Sequence, residues 1–166
     1  FPLTQGIGQG FKRREHALSE MGMFLGNLRA VWGAAHSWLV KDGATGEHVR
    51  LAARLDAGER AQLHRLFDDV LLSLIAYFDT ERGGRARQQC AARYPRHCAG
   101  CGLAEADEVR AIATEQRLLV ECGLSRLQRL VQDFKLRGLP GGEAHRLDSY
   151  VSKMHVSYER LAALKE

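Results

Sequence analysis

The chain lacks any hydrophobic run long enough to cross a bilayer: the longest, residues 70–78, is short and broken by Ser73. No secretory signal is visible either, because Phe1-Pro2-Leu3-Thr4 shows no basic flank followed by an apolar stretch. The first absence gives the expectation of no membrane-spanning helix in this sequence, and the two together that of a cytoplasmic protein. Catalytic signatures are also missing. There is no His-Glu-x-x-His, no Gly-x-Ser-x-Gly and no phosphate-cradling Gly-rich loop. No Glu-x-x-His occurs, which argues against a di-iron carboxylate bundle. Gly6-Ile7-Gly8-Gln9-Gly10 follows no strand and is not read as a nucleotide site. The expectation is a regulatory segment rather than an enzyme, with any enzymatic activity residing in an attached output domain.

What is present is a soluble-protein composition. Hydrophobic residues make up 45% and charged residues 27% of 166 positions, enough for one helical domain or two small ones. The net charge of +4 is modest. Basic residues gather in Lys12-Arg13-Arg14 and over residues 82–96, a pattern that suits a solvated segment or attraction to an acidic partner. Little aromatic interleaving accompanies them beyond Tyr94, so nucleic acid is not an expected partner.

Apolar spacing predicts an all-α fold, an antiparallel bundle of four long helices plus short helices, with no convincing strand. Residues 12–40 form the first helix, with Leu18, Met21, Leu25, Leu28, Trp32, Ala35 and Leu39 as a heptad seam. Beside that seam runs a stripe of Gly22, Gly26, Ala30, Ala34 and Ser37, with Gly33 adjacent. Glycines cost about 1 kcal/mol each in a helix interior, so the stripe predicts a closely packed neighbouring helix or a local irregularity. A short helix is expected over 47–55. Asp56 and Glu59 then form a capping box that starts a helix ending at Gly83-Gly84 and burying Leu63, Leu66, Phe67, Val70, Leu74, Tyr77 and Phe78. The next helix starts near Glu105, buries Val109, Ile112, Leu119, Val120, Leu127, Leu130, Val131 and Phe134, and stops at Gly138 and Pro140. A last helix begins near Glu143 and buries Leu147, Val151, Met154, Tyr158 and Leu161. This reading divides one domain into an N-terminal helical half (1–82), a Cys-containing connector (83–104) and a C-terminal helical hairpin (105–166). The absence of an initiating Met gives the expectation of a piece of a longer chain.

The four cysteines cluster as Cys90, Cys98, Cys101 and Cys122, in the pattern C-x7-C-x2-C-x20-C. Two thiolates two residues apart can bite one metal, since a tight turn brings both sulfurs to one side. Cys98 and Cys101 are the core of a candidate zinc site, with Cys90, His97 and Cys122 as further ligands. An iron–sulfur cluster is a less favoured occupant. A redox thiol pair is the competing chemistry, because Arg93, Arg96 and a protonated His97 would favour the thiolate. Four unrelated free thiols complete the alternatives.

One stretch resembles the globin-coupled sensors, bacterial proteins in which a helical sensor domain drives a diguanylate cyclase or chemotaxis output. Residues 55–78, opening Leu55-Asp56-Ala57-Gly58-Glu59 and closing Leu74-Ile75-Ala76-Tyr77-Phe78, look like that family's final sensor helix. The helix carrying Phe24-Leu25-Gly26 is similar to the one that follows the haem-binding histidine, and the resemblance implies His16 near the haem-ligand position. The closing Tyr158-Glu159-Arg160-Leu161-Ala162-Ala163-Leu164-Lys165-Glu166 resembles the helical linker that leads into a cyclase domain.

Two functions are therefore expected in competition. The first is a helical sensory and dimerisation module of a bacterial signal-transduction protein, a homodimer whose C-terminal helix regulates a cyclic di-GMP-forming output domain. The second is a zinc- or iron–sulfur-binding helical module of a transcription regulator or partner-binding protein.

Overall fold

The computed structural model describes residues 2–41, 45–93 and 103–165, with side chains over 8–41, 45–78 and 111–164. Among the described residues the fold is all-α, built on α1 (Pro2–Ser37), α2 (Ala57–Arg93), α3 (Leu103–Leu136) and α4 (Gly141–Lys165). Between α1 and α2 lies an antiparallel hairpin of β1 (Leu39–Lys41) and β2 (His48–Arg50), followed by a 3-10 helix, Leu51–Arg54. The hairpin corrects the expectation of no strand, and the short helix expected over 47–55 is confined to the 3-10 turn at Leu51–Arg54. Its register pairs Val40 with Val49, and Val40 is fully buried while Leu39 and Lys41 on either side are exposed. That alternation is the strand period, and the two β-branched residues suit it. Leu51 N–H donates to the Trp38 carbonyl at 2.8 Å and closes the open end of the hairpin.

Helix α2 starts on the predicted capping box. Glu59 N–H donates to Asp56 Oδ1 at 2.7 Å, and Asp56 N–H donates to Glu59 Oε2 at 2.9 Å, so two orphan amides are satisfied reciprocally. The helix does not stop at Gly83-Gly84 as expected but runs on to Arg93. Two glycines cost about 2 kcal/mol together. Good helix formers follow at once, in Arg85-Ala86-Arg87-Gln88-Gln89, and the helix ends just before Tyr94-Pro95. At the end of α3, Gly138 takes a positive φ of 93°, Leu139 N–H donates to Phe134 O and Gly138 N–H to Lys135 O, both at 3.0 Å. This is a Schellman stop, and Leu139, just past it, is buried.

The chain divides into two compact units, Phe1–Gln62 with Leu127–Glu166, and Leu63–Arg126. In the first, α1 packs along α4, with Phe24, Leu28, Val31, Ala34 and Ala35 meeting a face of Ala144, Leu147, Val151, Met154, Tyr158, Leu161 and Ala162. The α4 face matches expectation. The α1 face does not: Leu18, Leu25 and Leu39 are exposed, Met21 and Trp32 are half-buried, and only Leu28 and Ala35 of the predicted seam are buried. Apolar residues of α1 spread well beyond the buried face, and the heptad seam lies beside that face, overlapping it at Leu28 and Ala35.

In the second unit α2 and α3 lie antiparallel. Leu63, Leu66, Phe67, Val70, Leu74 and Tyr77 form the α2 side of the core, and Val120 and Leu124 the α3 side. Gly123 makes the closest approach, since a Cβ there would lie 2.6 Å from Val70 Cγ2. Ile112 and Leu119, expected in the core, are exposed; Val109 lies outside the described side chains.

Candidate functional site

The best-built polar site sits on the α1–α4 contact of the first unit. Glu20 faces the same side of α1 as Phe24, Val31 and Leu28, and its side chain is only 2% exposed. A carboxylate so placed loses its water and must find partners within the fold. Arg160 of α4 supplies the main one: its Nη1 donates to Glu20 Oε1 at 3.0 Å, while the Arg160 side chain as a whole remains 56% exposed. His16, one turn before Glu20 on α1, brings Nε2 within 3.3 Å of the same oxygen. Glu20 Oε2 is buried without a hydrogen bond of good geometry. Ser157, buried on α4, is the neighbouring hydroxyl.

Two opposing effects set the charge of Glu20. Burial pushes its carboxyl upward, but the Arg160 hydrogen bond, the Ser157 hydroxyl, the Arg160 charge and His16 together outweigh that. The net result holds the carboxyl below the ordinary carboxylate range, so it is ionised at neutral pH. A buried ionised group tied to one residue of a facing helix resists sliding, because any other register strands the charge. The site is therefore a pin that fixes α1 against α4 and offers no nucleophile or general base aimed at open space.

A second polar constellation joins the hairpin to the ends of α2 and α3 within the same unit. Arg54 donates to the Arg137 carbonyl at 2.8 Å and the Lys41 carbonyl at 3.2 Å. Arg137 donates back to the Arg54 carbonyl at 3.2 Å and grips Glu59 with both terminal nitrogens. The Arg137 bond and the Asp56 amide hold the Glu59 carboxyl below its ordinary range. Val49, Ala53, Arg54 and Arg137 line an open groove of about 480 Å³ beside this clasp. Its guanidinium groups are engaged with carbonyls and Glu59, which leaves an architectural role for both.

The sequence-predicted ligands are distributed unevenly. His97, Cys98 and Cys101 lie outside the described residues, and Cys90 falls on α2 where side chains are not described. Cys122 is an exposed thiol on α3. Among the described residues no group of three or more His, Cys, Asp or Glu could hold a metal ion. His16, the haem ligand implied by resemblance, directs its Nε2 toward Glu20. Of the other histidines, His36 donates from Nδ1 to the Trp32 carbonyl at 2.9 Å. His155 on α4 buries Nε2 without a partner.

Glu20, Ser157 and Arg160 carry no sequence motif and were not among the expected site residues. The one available signal is Glu20 on the buried face of a helix, legible only once that face is known. No helix among the described residues is long and apolar enough to cross a membrane. No protein-family model matches the chain, and neither curated proteins nor solved structures give a match.

Proposed function

We propose that the chain is a helical sensory and dimerisation module of a signal-transduction protein, in which α4 transmits changes in α1 packing to an output domain. The observation that supports this is the Glu20–Arg160 pin, a buried carboxylate on α1 bonded to the last turns of α4. Hydrophobic contacts alone let helices slide or rotate by small steps at little cost, whereas a buried charge permits few arrangements. A ligand or partner that moves α1 then moves the C-terminal end of α4 as one body. The output favoured by the sequence resemblance is a domain that forms cyclic di-GMP.

A fusion of the chain, through α4, to a diguanylate cyclase catalytic domain tests this reading. One to four alanines inserted after Lys165 rotate the output by about 100° per residue. Product formation should vary periodically with insertion length, and Arg160→Gln should flatten that variation while the fusion stays helical. An activity indifferent both to insertion length and to Arg160→Gln refutes transmission through α4.

A further inference from the structure

Helix α1 carries an exposed apolar strip outside the face that serves the core. Phe11, Leu18 and Leu25 follow a seven-residue spacing and are 61%, 62% and 40% exposed. At 100° per residue their mean direction lies about 140° round the helix from Val31, about 120° from Phe24 and about 80° from Leu28. Gly22, Gly26 and Gly33 share this outer side, and a Cβ added at any of them would meet nothing within 4 Å. Of the predicted small-residue stripe, Ala34 packs in the α1–α4 contact, but no close neighbour meets the glycines among the described residues, nor is α1 irregular there. Mid-helix glycines cost about 1 kcal/mol each, and nothing in the described fold uses them.

The positions on this side are symmetric about Gly22. Leu18 lies as far before it as Gly26 lies after it, and Phe11 is matched in the same way with Gly33. Glu15 is matched with Arg29; both are exposed, and neither has an ion-pair partner among the described residues. A two-fold axis through Gly22 therefore sets Phe11 opposite Gly33, Leu18 opposite Gly26, Leu25 opposite the small Ser19 and each Glu15 opposite an Arg29. That self-complementarity is what an isologous contact requires.

We propose that the outer face of α1 pairs with the same face of a second copy of this chain, antiparallel, with the two helices crossing at Gly22. This rests on the dimerisation part of the function proposed above and names its surface. From Phe11 to Gly33 the face is about 33 Å long, with a footprint on the order of 400 Å² per copy, about half that of a standard stable interface. The pairing is accordingly weak and reversible.

Sedimentation equilibrium on the full chain, from low micromolar to submillimolar concentration at low salt, tests the proposal. The expected result is a monomer–dimer equilibrium. Gly22→Leu should weaken it more than about tenfold by placing bulk at the crossing. The same change should raise helix stability in the monomer, where its side chain meets open space, so loss of pairing is not loss of fold. Glu15→Arg and Arg29→Glu should each weaken pairing about tenfold, because each variant sets two like-charged pairs across the axis. The double variant should restore it, which a parallel pairing, with each residue facing its own copy, would not do. A chain that stays monomeric throughout refutes both this surface and the dimerisation reading. A dimer indifferent to Gly22→Leu and to the charge exchanges refutes this surface alone and leaves dimerisation standing.

Discussion

Gly123→Ala is the substitution for which helix propensity and packing give opposite answers. Propensity favours the alanine by about 1 kcal/mol, since Gly123 lies in the interior of α3. Packing opposes it. The new Cβ would sit 2.6 Å from Val70 Cγ2, and carbon atoms in contact rest about 3.5–4.0 Å apart, so roughly 1 Å must be found. Val70 cannot easily supply it: the residue is fully buried, and valine in a helix keeps one strongly preferred rotamer. The Val70 Cα itself would lie 3.7 Å from the added atom, so the α2 backbone is also close. Either Val70 leaves its rotamer or the two helices separate, and overpacking of this kind costs about 1–3 kcal/mol. Packing wins, and the net effect is a loss of about 1 kcal/mol. Val70→Ala removes the obstacle. In that background Gly123→Ala should stabilise by about 1 kcal/mol, because the propensity gain remains and the added methyl fills space the valine left. Urea denaturation of the four proteins, followed by far-UV circular dichroism, reads this sign reversal as opposite shifts of the midpoint. Effects that add within about 0.5 kcal/mol, or an alanine that stabilises the chain with Val70 present, would refute the close packing described for this unit.

Two further outcomes follow from the polar sites. Asp56→Ala removes the side chain that caps α2 and should cost about 1 kcal/mol, lowering the thermal midpoint by about 2–4 °C, while Asp56→Ser should recover most of it. For pH, the folded-state carboxyls of Glu20 and Glu59 lie below their ordinary range. Their contribution is complete above the unfolded carboxylate range and is lost as pH falls through the depressed folded values. Thermal midpoints measured from neutral to acid pH should therefore show the wild type converging on Glu20→Gln at low pH; a constant gap between the two would contradict the assigned charge state.

The sequence made some parts of this fold plain and concealed others for identifiable reasons. Asp56 and Glu59 announced the start of α2, because a capping box is a local motif whose bonds form within four residues. The buried face of α4 was equally clear, since its apolar residues occupy one side and its charges the other. Helix α1 misled because Leu18 and Leu25 repeat as regularly as Phe24, Leu28 and Val31, and periodicity does not say which side meets a partner. Gly83-Gly84 looked like a stop, yet a glycine pair is only a modest penalty inside a long helix. The hairpin was missed because three-residue strands carry almost no periodic signal. The candidate site was the least legible of all: Glu20 and Arg160 are separated by 140 residues, and only the packing of α1 on α4 gives that pair a meaning.

Glu20 also marks a mechanical boundary within α1. From Gly8 to Ser19 the helix is exposed on nearly every side, with Ala17 alone half-buried. A segment of about a dozen residues is marginal as an isolated helix, so this stretch depends on being continuous with the packed turns beyond it. Opening that starts at the amino end can travel inward through it at little cost, and Glu20 is the first described residue at which unwinding must also release a bond to another helix. Backbone amides before Glu20 should exchange with solvent quickly and those after it slowly, giving a sharp step within a single unbroken helix. If the outer face pairs with a second copy, the fast side of that step slows as concentration rises, while the slow side stays where the pin set it.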